Sequence, residues 1–419
     1  MFERLFPRRE TGLRHITSPL AQERSDYLQH CADQGYSPAT LRHLATDLLL
    51  IQSLLSLHES SQKFDPSVVE AVIARWAARE PKYFSYKNGR RGRENLPHRA
   101  TRWLLFMDRL QTAPAAPRPY DALLQDFTDN MRHERGLSEA SINGRRWIAE
   151  DFLQWFFRGH LSLADITNGE IDEAIARKRV DSGYSRSSVK TYASGIRTFF
   201  RHAERRGWCR QGLADLIASP RVYGQEGLPA GPSWNDVQRL MATTESDRPK
   251  DLRDRAMLLL FAIYGMRSGE VRALKLEDLD WENNLINVPR SKGRRTQRYP
   301  LVGPVGEAIL RYLEDGRPRS TTYREIFLTV EAPIQPLRAS SSVWTMVAKR
   351  LRPFGLALRQ HGPHTLRHAC ASHLLADGLS LKEIGDHLGH RSAKVTAAYA
   401  KVDLAGLREV ASFPLGGLA

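Results

Sequence analysis

Two proline-rich breaks constrain this chain more than any other feature of its sequence. Residues 112–120 (TAPAAPRPY) hold three prolines, residues 219–233 (SPRVYGQEGLPAGPS) mix prolines with glycines, and neither stretch can continue a helix. At 419 residues the chain also exceeds the roughly 100–200 of one compact domain. Three domains are expected, over residues 1–113, 118–222 and 233–419.

The first two read as copies of one another. Gly35-Tyr-Ser-Pro-Ala-Thr-Leu recurs as Gly136-Leu-Ser-Glu-Ala-Ser-Ile, and Val68-Val-Glu-Ala-Val-Ile-Ala-Arg as Glu170-Ile-Asp-Glu-Ala-Ile-Ala-Arg, at offsets of 101 and 102 residues. In each copy a glycine ends one helix and Ser37 or Ser138 stands ready to cap the next. Apolar residues then recur at helical spacing, as in Leu41, Leu44, Leu48, Ile51 and in Ile142, Ile148, Phe152, Trp155. A third such start, Gly183-Tyr-Ser, opens a helix carrying Tyr192, Ile196, Phe199 and Phe200. Both segments read as small helical bundles with these stripes in their cores. From residue 233 onward helix and strand mix: residues 256–264 read as a buried helix, and 285–290 and 297–302 alternate like strands around a basic tip. From Thr365 a helical face of Leu366, Cys370 and Leu374 runs to Gly378. The expected class is mainly α, with a small β-sheet in the last domain.

Composition narrows the function. Hydrophobic residues at 41% and charged residues at 26% exclude a collagenous, mucin-like or wholly disordered chain. The longest nearly pure apolar run, residues 256–266, is 11 long, about half of the roughly 20 that a membrane-spanning helix needs. The N-terminal MFERLFPRRETGLRH meets charge before an apolar run can form, so the expected address is cytoplasmic and nucleoid-associated, with no membrane partner. Cys31, Cys209 and Cys370 stand far apart with no CxxC pair, and read as core thiols. A formal charge of +15, with 50 arginines among 62 basic residues, points to nucleic acid, although a GC-rich genome also enriches arginine.

Five pieces of the last segment carry the chemistry: Tyr264-Gly-Met-Arg-Ser-Gly-Glu, Ser291-Lys-Gly, His364-Thr-Leu-Arg-His, Leu388-Gly-His and Tyr399. Singly, Lys292 is a solvated turn residue and Tyr399 one of 13 tyrosines. In this order they resemble the catalytic domain of tyrosine recombinases, the family of phage integrases and Xer-type resolvases. Phosphodiester cleavage places extra negative charge on two non-bridging oxygens, which two guanidinium forks, Arg267 and Arg367, would stabilise without a metal. His364 lies three residues before Arg367, hence on the same helical face. Tyr399 is the candidate nucleophile, its phenol needing a neighbouring base and a positive field. The family pattern gives Lys292 the general-acid role, lets His390 hydrogen-bond the phosphate, and has Glu270 orient the catalytic cations. His364 and His368 have a metal-ligand spacing, but HTLRH lacks the glutamate of a zincin, so no metal or other cofactor is expected.

The resemblance further implies that residues 118–222 form a core-binding, SAM-like domain closing with the catalytic domain as a clamp around duplex DNA. Phage integrases often begin with a small β-containing module, whereas residues 15–111 look like a second helical copy. Two basic runs without an acid suit phosphate: residues 290–298, with Arg290, Arg294, Arg295 and Arg298, and residues 82–93, with Lys82, Lys87, Arg90, Arg91 and Arg93 beside three aromatics. After Tyr399, Leu404, Leu407 and Val410 share one face and resemble a C-terminal helix donated to a neighbouring protomer, with packing on its own domain as the alternative. The expected partners are double-stranded DNA with specific recombination sites, further copies of the chain in a synaptic tetramer, and other recombinases or accessory proteins. The competing function is a non-catalytic, architectural DNA-binding protein with the same fold.

Overall fold

The computed structural model describes residues 1–59, 62–78, 89–111, 117–222, 231–290, 296–319, 321–337, 340–390 and 392–399. Lys82, Lys87, Lys292, Arg294, Arg295, Leu404, Leu407 and Val410 lie outside these, as do the side chains of Arg90, Arg91 and Arg93.

The first segment holds α1 (Phe2–Leu5), α2 (Arg9–Thr17), α3 (Ala21–Asp33), α4 (Pro38–Leu54), α5 (Pro66–Ala78) and α6 (Gly89–Phe106). The second holds α7 (Asp121–Asp129), continued by a π-helical turn at Asn130–Glu134, then α8 (Glu139–Phe156), α9 (Asn168–Val180), α10 (Arg186–Arg206) and α11 (Leu213–Leu216). The repeated sequence elements fall on corresponding helices: the Gly-x-Ser starts open α4 and α8, and the Ile-Ala-Arg stretches lie on α5 and α9. Ser37 and Ser185 cap α4 and α10 by accepting from the N–H of Thr40 and Ser188, each at 3.2 Å. Ser138 stands at the corresponding place before α8, but its hydroxyl meets Ser141 Oγ at 3.0 Å and caps no backbone N–H. The expected stripes are core except at Trp155: Leu41, Leu44, Leu48 and Ile51 pack in one cluster, and Ile142, Ile148, Phe152, Tyr192, Ile196, Phe199 and Phe200 in another, with Trp155 partly buried against it.

The third segment runs α12 (Trp234–Ala242), α13 (Pro249–Ile263), α14 (Ser268–Ala273), β1 (Leu279–Asp280), β2 (Leu285–Pro289), β3 (Thr296–Pro300), α15 (Gly303–Arg311), α16 (Ser340–Leu351), α17 (Pro363–Ala376), α18 (Leu381–Leu388) and α19 (Ala393–Thr396). The strands form an antiparallel sheet in the order β1-β2-β3, with Val288 opposite Gln297 and Ile286 opposite Tyr299. α13, charged in its first half and continuously apolar from Ala256 to Ile263, is the axis of the core, and α15 and α17 pack on it. A smaller apolar cluster of Cys370, Ala371, Ile384, Leu388 and Tyr399 joins α17 to α18 and the segment after α19. Arg253 and Arg350 share the buried carboxylate of Asp254, so that charge does not stand unpaired.

Three cores do not make three compact units. Residues 1–112 and 227–419 group into one unit, and residues 113–226 form the other. Within the first unit the Gln34 carbonyl accepts from the Ile334 N–H at 2.9 Å, and the Ile334 side chain packs over Gly35. The first helical segment is thus joined to the third, across a stretch of sequence that contains the second.

Candidate active site

The site is assembled where α14, the β2–β3 hairpin, α17 and α18 meet. Arg267 immediately precedes α14, and Glu270 lies within it, so the Glu270 carboxylate turns back to accept from the Arg267 backbone N–H and from its Nη1, both at 2.8 Å. The second Arg267 Nη reaches the Gly389 carbonyl at 3.3 Å. Glu270 is 2% exposed and its second oxygen takes Arg290 Nη1 at 2.5 Å. Burial pushes this carboxyl upward, but the Arg267 N–H and the Arg290 guanidinium outweigh it and hold the group below the usual carboxylate range.

Arg367, on α17, is 2% exposed and has no carboxylate partner among the described residues. Its Nη1 donates to the Gly265 carbonyl and its Nη2 to the Leu388 carbonyl at 2.8 Å. Burial, reinforced by Arg267, lowers its pKa to about 10, so it remains protonated at neutral pH. Both acceptor turns need glycine. Gly265 has φ +56°, and a Cβ there would come within 2.3 Å of Leu388 Cδ2. Gly389 has φ +65°, and a Cβ would meet the Arg290 guanidinium at 2.8 Å. The glycines of the Tyr-Gly-Met-Arg and Leu-Gly-His pieces are therefore what let the two arginines approach backbone carbonyls.

Three histidines surround this pair. His364 and His368 meet edge to face on α17 with ring centroids 4.4 Å apart, and His368 Nδ1 lies 2.8 Å from the Tyr399 hydroxyl. His390 Nδ1 lies 2.7 Å from Thr396 Oγ1. Burial, followed by the neighbouring His364 and Arg367, lowers His368 from 6.5 to about 4. Burial and then the arginines do the same to His390. His364, with more of its surface in solvent, is lowered by desolvation and by Arg367 and Arg267. Tyr399 is 3% exposed, and burial raises its phenol to about 12 against the opposing pull of Arg367. Cys370 is buried beside it, as expected of a core thiol, and Cys31 and Cys209 are buried as well.

Arg267, Glu270, His364, Arg367, His390 and Tyr399 thus converge within one unit, whereas the Lys292 position lies outside the described residues. Arg290 corrects an expectation: it does not face outward from a basic tip but is 8% exposed, because Glu270 and Gln297 draw its fork inward. Arg298 is exposed. Sequence reasoning passed over His368 as the partner of Tyr399, having weighed it only as a metal ligand. It also passed over Gln297 and Tyr299, which face inward on β3 while Arg298 faces out. Strand alternation alone carries that signal.

The phage integrase family model matches residues 233–405, and the model of the phage integrase N-terminal SAM-like domain matches residues 124–207. Neither match reaches the first helical segment. The chain is 35% identical over 320 residues to the integrase/recombinase-type protein y4rA of Sinorhizobium fredii, covering 74% of this chain and 77% of the relative. It is 26% identical over 293 residues to tyrosine recombinase XerD of Staphylococcus aureus, covering 69% and 97%. Among solved structures, XerH site-specific recombinase in a post-cleavage complex with palindromic difH substrate matches with a TM-score of 0.53 at 18% identity, covering 84% of this chain and 98% of that one. A lambda integrase dimer bound to a COC′ core site matches at 0.51 and 19%, covering 66% and 94%. These two likenesses show the fold.

The histidine shifts predict a pH dependence. His15, His368 and His390 are each lowered from 6.5 to about 4 in the folded chain, so between those values the unfolded chain binds protons that the folded chain does not. Stability is complete above about pH 6.5 and falls as pH drops toward 4. Thermal melts from pH 8 to 4.5 should show a Tm that is flat and then declines below about 6.5; a Tm that rises on acidification would contradict the neutral histidines.

Proposed function

Because the chain belongs to the phage integrase family of tyrosine recombinases, we propose that it cleaves and rejoins DNA strands at specific sites through a 3′-phosphotyrosyl intermediate, without a metal. The observation that carries this is the convergence of two arginines, three histidines and a tyrosine around Gly389. The Tyr399 oxygen attacks phosphorus as its proton passes to the adjacent His368 Nδ1, forming a phosphotyrosyl ester with the 3′ end and breaking the bond to the 5′ oxygen. That oxygen leaves with a proton from Lys292, the general acid of the family pattern. Arg267 and Arg367 hold the two non-bridging oxygens, and His364 and His390 add hydrogen bonds as charge develops there.

His368 is the nearest base to the phenol, but with its pKa near 4 against about 12 for Tyr399 the proton stays on the tyrosine at rest. A phosphate reaches the buried hydroxyl only once the segment carrying it moves. Chemistry is thereby tied to DNA engagement, and assembly of a tetramer through the residues after Tyr399 is the family-like route to that movement.

A nicked duplex carrying the protein's site should trap a covalent adduct in chelator, mapping to Tyr399 and lost in Tyr399→Phe. Clean reversible binding by the unmodified protein would instead identify an architectural DNA-binding protein. Arg267→Ala and Arg367→Ala should each lower cleavage by at least about 10²–10³, on the order of 3–4 kcal/mol, while weakening DNA binding only modestly. Equal losses in both measurements would mark ordinary phosphate contacts.

Residues 15–111 are proposed as a second DNA-contacting helical domain, arisen by duplication. Deleting residues 1–113 should shorten the protected footprint and reduce the slope of log affinity against log salt by about one for each phosphate that this domain neutralises. An unchanged footprint and slope, with assembly abolished, would make this domain a protein-binding module.

A further inference from the structure

A side chain that grips the DNA backbone needs donors facing solvent, and Arg290 has almost none. Its Nη1 meets Glu270 Oε2 at 2.5 Å, its Nε and Nη2 meet Gln297 Oε1 at 2.9 and 2.5 Å, and Nη2 also donates to the Tyr299 hydroxyl. We propose that Arg290 is a positioning residue that occupies one oxygen of Glu270, so that Arg267 is held by the other and keeps the rest of its fork for the scissile phosphate. This role rests on the recombinase reading above.

A carboxylate and a guanidinium left to themselves close into a two-pronged pair. Such a pair between Glu270 and Arg267 would engage both Arg267 Nη groups and cancel the charge. Instead Oε2 is filled by Arg290 and by the Arg267 backbone N–H, and Arg267 meets Oε1 through Nη1 alone. Arg267 Nη2 turns to Gly389, and its Nε has no hydrogen-bond partner among the described residues. One carboxylate between two guanidinium groups leaves a net single positive charge where the pair alone would leave none. Arg290 also sets the other anchor of Arg267. Through Gln297, whose Nε2 donates to the Asp386 and His387 carbonyls at 2.9 and 3.2 Å, and through the Tyr299 hydroxyl on His387, it ties the β2–β3 hairpin to the turn that presents Gly389.

The test measures coupling in the full-length protein, on a nicked duplex carrying the site that the protein selects from a random-sequence pool. Arg290→Met should slow single-turnover cleavage about tenfold or more while changing DNA affinity less than about twofold. In an Arg267→Lys background, where an ammonium has no fork to position, the same substitution should slow cleavage less than about threefold. Gln297→Met, at a partly exposed position, should show the same coupling with a smaller penalty, and it decides the matter if Arg290→Met does not fold. Equal penalties in the two backgrounds, or affinity falling in step with cleavage, would overturn the role while leaving the recombinase reading intact. Absence of any adduct with unmodified protein would overturn both.

Discussion

The arrangement of this site depends on the last turn of α18. Its carbonyls from Asp386 to Gly389 all accept hydrogen bonds from side chains of other elements: Gln297 at Asp386 and His387, Tyr299 at His387, Arg367 at Leu388 and Arg267 at Gly389. The final carbonyls of a helix lack partners within it and carry the negative end of its dipole. A buried guanidinium, for its part, needs electron density to replace water. Carbonyls supply that density without a full negative charge. Arg367 can therefore be almost wholly buried and still project its charge, which a carboxylate partner would have cancelled.

Glu270 solves a different problem in the same space. It is a buried anion and must be paired, yet a full pairing with Arg267 would neutralise that guanidinium. Sharing it between two arginines satisfies the carboxylate and leaves positive charge over. Burial, reinforced by the same positive field, keeps His368 and His390 neutral, and so limits them at rest to hydrogen bonding rather than proton uptake. Tyr399, bonded to one of them and shut away from solvent, is stabilised as the neutral phenol. The site thus sets an excess of positive charge beside a neutral phenol.

Much of this was legible in the chain. The Gly-x-Ser starts, the apolar stripes of α4, α8 and α10, the α13 core helix and the β2–β3 hairpin follow from local spacing, and local spacing is what a sequence displays. The order of arginine, lysine, histidine–arginine, histidine and tyrosine was readable for the same reason. Ser138 shows the limit even locally, since it makes the same hydroxyl contact three residues on that Ser37 and Ser185 make, yet it caps no backbone N–H. Arg290 shows the limit over distance. Within a run of five basic residues it reads as a solvated cation, and what turns it inward is Glu270, 20 residues earlier, together with Gln297 and Tyr299 on the paired strand β3.

By itself, then, the sequence determined the helical class, the repeated bundle, the family and the identity of the residues that meet at Gly389, because periodicity, turn chemistry and motif order are carried by near neighbours along the chain. Tertiary structure alone decided which of two similar arginines stays partly exposed and which is enclosed, which histidine holds the tyrosine, and that residues 1–112 group with 227–419 rather than with their sequence copy. Those outcomes turn on burial and on partners well separated in the chain, from 20 residues for Arg290 and Glu270 and 31 for His368 and Tyr399 to 122 for Arg267 and Gly389. The free energy of a charge is set by what surrounds it in space, and the one-dimensional chain does not contain that surrounding until it has folded.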